Sequence, residues 1–199
     1  MKRTVHIFAF LFVVIANAVG IAGAADLSRA VTLVATEGLD GSPFEKTVII
    51  AAPLPDGTHV GFIINRPTDV KLATLFPDDD GSRKVDSPVS YGGPMLPRAL
   101  FALTSRAPDI DEGVVPLMPG LVAVLDEAGV DRVIETIPND ARYFVGLVLW
   151  GPDELDQQVT AGAWDVKPAD PKVALRSKSP GLWDELRGAK AKSRVENWV

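Results

Sequence analysis

Residues Tyr143–Trp150 read Tyr-Phe-Val-Gly-Leu-Val-Leu-Trp, an apolar run of eight with no charged side chain. It is short enough for a strand buried on both faces. Side chains alternate across a strand, so both faces of this one need cover from the rest of the chain. That cover has to come from packing alone, because the 199 residues include no cysteine. The same absence excludes a disulfide scaffold, a thiolate zinc site, an iron–sulfur protein, a cysteine nucleophile and a cysteine-anchored lipoprotein. Only His6 and His59 are available as imidazoles, so no histidine-rich metal site is expected. Charged residues at 23% beside 47% apolar ones argue for a folded chain.

The N-terminus has the three parts of a secretory signal peptide. Lys2 and Arg3 start it, and the 22 residues from Thr4 to Ala25 contain no acid, lysine or arginine, with the densest apolar stretch at Ile7–Ile15. Ala22-Gly23-Ala24-Ala25 then offers small residues to a peptidase, with cleavage after Ala24 or, alternatively, Ala25. Without cleavage the segment is nearly long enough to act as an N-terminal membrane anchor, although Asn17 and Gly20 weaken it. The reading is a signal peptide over residues 1–24 and one domain over 25–199. The protein would then be periplasmic or secreted, with no membrane span after cleavage.

Removing Lys2 and Arg3 takes the net charge from −6 to −8. A field this acidic repels phosphate backbones, so nucleic acid is not an expected partner. The charge is uneven: residues 176–199 carry six basic groups against three acids, a basic C-terminal tail that reads as a solvated helix end.

Short strands alternate with short helices along the rest. Val31–Thr36 and Thr47–Ala51 are β-branched and apolar. Pro53-Leu54-Pro55-Asp56-Gly57 is turn chemistry, and Val60–Asn65 returns as a strand, giving a hairpin over residues 47–65. Val70–Phe76 reads as two helical turns, and strands are expected at Leu100–Thr104 and Leu121–Leu125. Asp126 reads as the cap of a helix running through Ile134. Pro152 suits the first turn of another, running to Ala163, and residues 182–190 form a last helix that packs Leu182, Trp183 and Leu186 on the body. Asp78-Asp79-Asp80-Gly81 is a solvated loop that lacks the later acidic ligand of a calcium-binding loop.

Four segments resemble, in order, the YqgE/AlgH family. Leu33-Val34-Ala35-Thr36, with Phe44 and Val48, is similar to its opening strands. Gly61-Phe62-Ile63-Ile64-Asn65-Arg66-Pro67 resembles its G-x-x-x-N-[KR]-P strand end, and Gly92-Gly93-Pro94 its G-G-P turn. Gly146–Trp164 is similar to its tryptophan motif. The resemblance implies a single α+β domain with a branched mixed/antiparallel β-sheet and flanking helices. It implies no settled activity; some members are described as transcriptional regulators, a role the export signal disfavours here. The family's Glu-His pair falls on Pro53 and Leu54, its histidine after G-G-P on Thr104, its Gly-Gln on Asp153-Glu154 and its motif tyrosine on Leu147. The groups lost are mostly titratable, and acid–base catalysis needs such groups.

The candidate site is anion-binding: Asn65 and Arg66 at a strand end, Gly92 and Gly93 in a turn. Arg66 offers a planar fork of donors and the glycines offer unshielded amides, a combination suited to carboxylate or phosphate. The structural alternative is that Asn65 and Arg66 cap sheet edges while the glycines turn the chain. A serine-triad reading would need His59, which is expected as an exposed strand residue, and nothing nearby activates Ser90. Trp150 and Trp164 read as core anchors. No catalytic residue, metal or cofactor is assigned. The expectation is a non-catalytic binding or interaction module of the cell envelope, recognising an anionic small molecule or an envelope protein. An enzyme acting on a small anionic substrate is the alternative.

Overall fold

The computed structural model describes residues 25–106, 109, 113–177, 179 and 181–188. The proposed signal peptide and the tail beyond residue 188 lie outside the described residues. The fold is α+β: one ten-stranded, curled and mostly antiparallel sheet with short helices against it. In chain order the strands are β1 (Val31–Ala35), β2 (Val48–Pro53), β3 (His59–Ile63), β4 (Pro67–Lys71), β5 (Pro88–Tyr91) and β6 (Met95–Thr104). They are followed by β7 (Val114–Met118), β8 (Leu121–Val124), β9 (Ala141–Trp150) and β10 (Trp164–Pro168). The helices are α1 (Leu72–Leu75), α2 (Glu127–Thr136), α3 (Glu154–Thr160), α4 (Pro171–Ala174) and α5 (residues 182–188).

The main path runs β10-β1-β2-β3-β9-β6-β8-β7. The apolar run foreseen as a doubly buried strand is β9, at its centre. Phe144 and Leu147 of β9 enter one core cluster with Phe62 and Phe101, while Val148 and Trp150 enter a second with Leu33, Ile49 and Trp164. β1 and β2 are buried along their length and alternate between the same two clusters, Val34, Val48 and Ile50 on one face and Leu33, Ile49 and Ala51 on the other. The β2–β3 hairpin pairs Pro53 with His59 across the turn that ends in Gly57, whose φ of 83° glycine adopts without strain. Asp126 caps α2 as expected, its Oδ1 accepting from the Gly129 amide at 2.9 Å. Trp150 and Trp164 are core anchors, and the Gln158 Oε1 accepts from both indole N–H groups, at 3.1 and 2.9 Å.

Several elements differ from their sequence expectation. Val70–Phe76 is not two helical turns: β4 extends to Lys71 to pair with β5, and α1 is a single turn ending before Phe76, which precedes Pro77 and is turned away from helix by it. Pro152 lies in the turn ahead of α3, not in its first turn. Asp153 adopts φ 62°, and the Glu154 carboxylate reaches back to the Gly151 amide at 2.9 Å. α3 stops at Thr160, short of Ala163, because Gly162 turns the chain at φ 79°. His59 is buried at 8% exposure, and its Nε2 donates to the Leu27 carbonyl at 3.1 Å.

Candidate functional site

One edge of β9 serves two different strands. Its C-terminal half pairs antiparallel with β3 through Val148–Trp150, and its N-terminal half pairs parallel with β5 through Phe144 and Val145. The sheet branches where β3 ends and β5 begins, and the sequence motifs converge there. Ile63 N–H donates to the Gly92 carbonyl at 2.9 Å, Tyr91 N–H to the Arg66 carbonyl at 2.9 Å, and Gly92 N–H to the Val145 carbonyl at 2.8 Å. The three motif glycines meet backbone to backbone. A Cβ on Gly92 would lie 2.2 Å from the Gly146 carbonyl oxygen, and one on Gly93 would lie 2.3 Å from the Leu147 oxygen. Gly146 itself bends β9 at φ 72°.

The backbones of Arg66 and the Gly92-Gly93 turn are therefore neighbours, although 26 residues separate Arg66 from Gly92. The Arg66 fork and the Gly92 amide do not converge on open space. Arg66 directs its Nη1 to the Pro43 carbonyl at 2.7 Å and its Nη2 to the Glu45 carbonyl at 3.1 Å. The Asn65 Oδ1 accepts from Val48 N–H at 2.8 Å, and its Nδ2 donates to the Lys46 carbonyl at 2.9 Å. With the Gly92 amide bonded to β9, the geometry of Asn65, Arg66 and Gly92 is that of a brace: they tie the 43–48 segment and β5 to the end of β3.

Arg142, to which the sequence reading gave no role, completes the branch. It is 4% exposed, and its guanidinium donates to the carbonyls of Ala174 at 2.8 Å and Ile64 at 3.0 Å and to the Ser90 Oγ at 3.2 Å. Burial pulls its pKa down to about 10, which still leaves it charged at neutral pH. The Phe144 ring faces the cation at 4.9 Å. Ser90 thus accepts from an arginine, which supplies no base for a nucleophile. In the acidic loop, Asp79 accepts from its own loop amides, Gly81 at 3.2 Å and Ser82 at 2.6 Å. Among the described residues no three His, Asp or Glu side chains are grouped to hold a metal ion.

A recess of about 600 Å³ opens elsewhere, between β6 and α2. Its origin is a register break. Met95 pairs with Leu147 and Leu100 with Val145, so β6 has three more residues than β9 over the same span. The four residues Leu96–Ala99 stand opposite Gly146 alone and bulge off the ladder, with Leu96 at φ 51° and 54% exposed. Phe101, Leu125 and Val130 floor the recess, and the exposed Phe76 and Leu96 stand at its rim. Arg98 lines the β6 wall; Glu127 and Asp131, one turn apart, line the α2 wall. All three are exposed and have no hydrogen-bond or ion-pair partner among the described residues. The Asp131 carboxyl is held above the ordinary aspartate range by partial desolvation and by the like charges of Glu127, Asp79 and Glu135. The sequence analysis assigned no role to Leu96-Pro97-Arg98, because the register break that makes it a wall has no local signal.

The model of the AlgH-like family matches residues 32–191. The chain belongs to the AlgH-like family. Its relatives include a UPF0301 protein of Chlorobium phaeobacteroides, 28% identical over 76% of this chain and 80% of the relative. Another, from Ruegeria pomeroyi, is 26% identical over 76% and 85%. The fold is that of the solution structure of the AlgH protein from Pseudomonas aeruginosa, which has a TM-score of 0.66 at 19% identity and covers 85% of this chain and 90% of that one. An X-ray structure from Corynebacterium diphtheriae has a TM-score of 0.65 at 21% identity over 82% and 87%. AlgH-like membership agrees with the sheet described above, and the names of these relatives state no activity.

Proposed function

We propose that this AlgH-like protein is a non-catalytic binding module of the cell envelope, exported by its N-terminal signal and released after Ala24 or Ala25. Its site is the recess between β6 and α2, which takes an anion-bearing apolar ligand or partner segment. The observation that carries this reading is Arg98: a planar cationic fork at the wall of an apolar recess, with no partner among the described residues. Arg98 serves an anion better than Arg66, because the Arg66 fork already holds two carbonyls. A mature chain at −8 repels anions at long range, but that field is screened beyond about 8 Å at physiological salt. A fork at hydrogen-bond distance acts well inside that limit.

The test is a thermal melt of the mature protein against a panel of apolar carboxylates and phosphates. A ligand at 100 times its Kd stabilises the folded form by about 2.7 kcal/mol. The shift should vanish in Arg98→Ala and persist in Arg66→Ala, which instead lowers the unliganded melting temperature by removing two carbonyl partners. Shifts that survive Arg98→Ala refute the site. Turnover of a panel compound that Arg98→Ala abolishes establishes the enzyme alternative in place of the binding module.

A further inference from the structure

The two walls of the β6–α2 recess carry opposite charges, and among the described residues neither wall has a neutralising partner. Arg98 stands on one side. Glu127 and Asp131 stand on the other, at a spacing that puts both carboxylates on one face of α2. The neighbouring acids are engaged: Glu135 faces Arg132 at 3.5 Å, and Asp79 holds its own loop amides. Glu127 and Asp131 are left facing the recess. A ligand with an anion alone would satisfy Arg98 while placing its charge opposite two carboxylates. A ligand with a cation alone would repeat that conflict with Arg98. The ligand that meets both walls has an ammonium at one end, a carboxylate at the other and an apolar body between them.

We propose that the recess binds a short apolar peptide with both termini free, its α-ammonium between Glu127 and Asp131 and its carboxylate on the Arg98 fork. This rests on the recess being a binding site, and it names the ligand class. The apolar side chains of the peptide would lie on Phe101, Leu125 and Val130, with Phe76 and Leu96 closing over them. A space of about 600 Å³ falls in the range of small-ligand sites, roughly 300–1,000 Å³. It has room for a body larger than one amino acid, and its charged groups stand on separate walls. An ammonium here would give Asp131 a counter-charge against Glu127, Asp79 and Glu135, whose like charges add to desolvation in raising its carboxyl.

Calorimetric titration of the mature protein with the dipeptide Leu-Phe tests this, in its free, N-acetylated, C-amidated and doubly blocked forms. The free peptide should bind, and each block should weaken it about tenfold, the size of a lost charge-assisted hydrogen bond. Asp131→Asn should remove the sensitivity to acetylation and keep that to amidation; Arg98→Ala should do the reverse. Both residues are exposed and without hydrogen-bond or ion-pair partners among the described residues, and a melt of each variant checks that it folds. If the doubly blocked peptide binds as tightly as the free one, and Leu96→Asp abolishes both, the zwitterion proposal is overturned and the recess stands as an apolar site. If no form binds while the carboxylate panel still gives Arg98-dependent shifts, the peptide proposal alone falls. If neither peptides nor panel bind, the recess reading falls with it.

Discussion

A full positive charge sits at Arg142, 4% exposed and answered by carbonyl and hydroxyl oxygens. Among the described residues no carboxylate pairs with it. Its stability contribution therefore lies in satisfying groups that have few other donors. Replacing it by Met fills most of the volume and leaves the Ala174 carbonyl without its guanidinium partner. The Ile64 carbonyl keeps the Ser179 hydroxyl at 3.1 Å. The Ser90 Oγ loses the guanidinium as well, and each of the two buried groups left unpaired costs about 1–3 kcal/mol, so Arg142→Met should lower stability by roughly 2–6 kcal/mol in chemical denaturation. Asp131 behaves in the opposite sense. Its folded pKa is raised, first by desolvation and then by Glu127, Asp79 and Glu135, so its contribution is lost as pH rises through that value. Asp131→Asn should therefore melt higher than the parent at pH 7. The gap should close as pH falls below the ordinary aspartate value of about 3.9, where both states bind the proton. A gap that does not depend on pH would mean that the raised pKa is not its cause.

At the scale of elements, the branch in the sheet depends on strands approaching without side chains between them. Gly92 and Gly146 stand where β5 meets β9, and a Cβ on Gly92 would collide with the Gly146 carbonyl, a backbone atom that cannot swing aside. Gly92→Ala should separate β5 from β9 and lower the melting temperature sharply, by the equivalent of about 3 kcal/mol or more, as strained core insertions do. Gly41→Ala is the control. A Cβ there meets nothing within 4 Å, so only its φ of 73° resists substitution and the loss should stay near 1 kcal/mol. Equal losses at the two positions would show that backbone conformation, not the close approach, sets the requirement at Gly92. The bulge in β6 is the other device at this scale. It lifts Leu96–Ala99 off the ladder, and Pro97 and Arg98 within it discourage pairing with a stray strand.

Over the whole molecule, the described chain closes on itself through its last helix. The Trp183 indole donates to the Ala35 carbonyl at 2.8 Å, and Arg187 reaches both Glu37 and Asp165. α5 thereby fastens the end of the domain to its first strand. The start of the domain is held too, since the Leu27 carbonyl accepts from the buried His59. Cleavage after Ala24 or Ala25 leaves that contact in the mature protein. N-terminal sequencing of material from fractionated cells should give Ala25 or Asp26 in the extracytoplasmic fraction. An intact Met1 on cytosolic protein would refute export, and an intact Met1 on membranes would establish the anchor.

Much of the element order was legible because it follows from local chemistry. The doubly apolar run of β9, the proline–glycine hairpin turn, the Asp126 cap and the Leu182-Trp183-Leu186 face of α5 each state their conformation within a few residues. β4, β5, β7 and β10 were not legible. β7 contains Pro116, and β10 reads Trp-Asp-Val-Lys-Pro; as the two ends of the main path they bury little, so they carry no strong pattern. The motif residues Asn65, Arg66, Gly92 and Gly93 were found from the sequence, and so was the neighbourhood of their backbones. Which way the donors point was decided by the fold, because the Pro43 and Glu45 carbonyls that accept from Arg66 lie more than 20 residues away along the chain. Arg98, Glu127 and Asp131 show the same division most clearly. Each is an ordinary surface charge in the sequence, and only the three-residue slip between β6 and β9 sets one across a recess from the other two. Local conformation is set by neighbours along the chain, whereas a site is set by register between strands, and register is fixed only when the sheet is assembled.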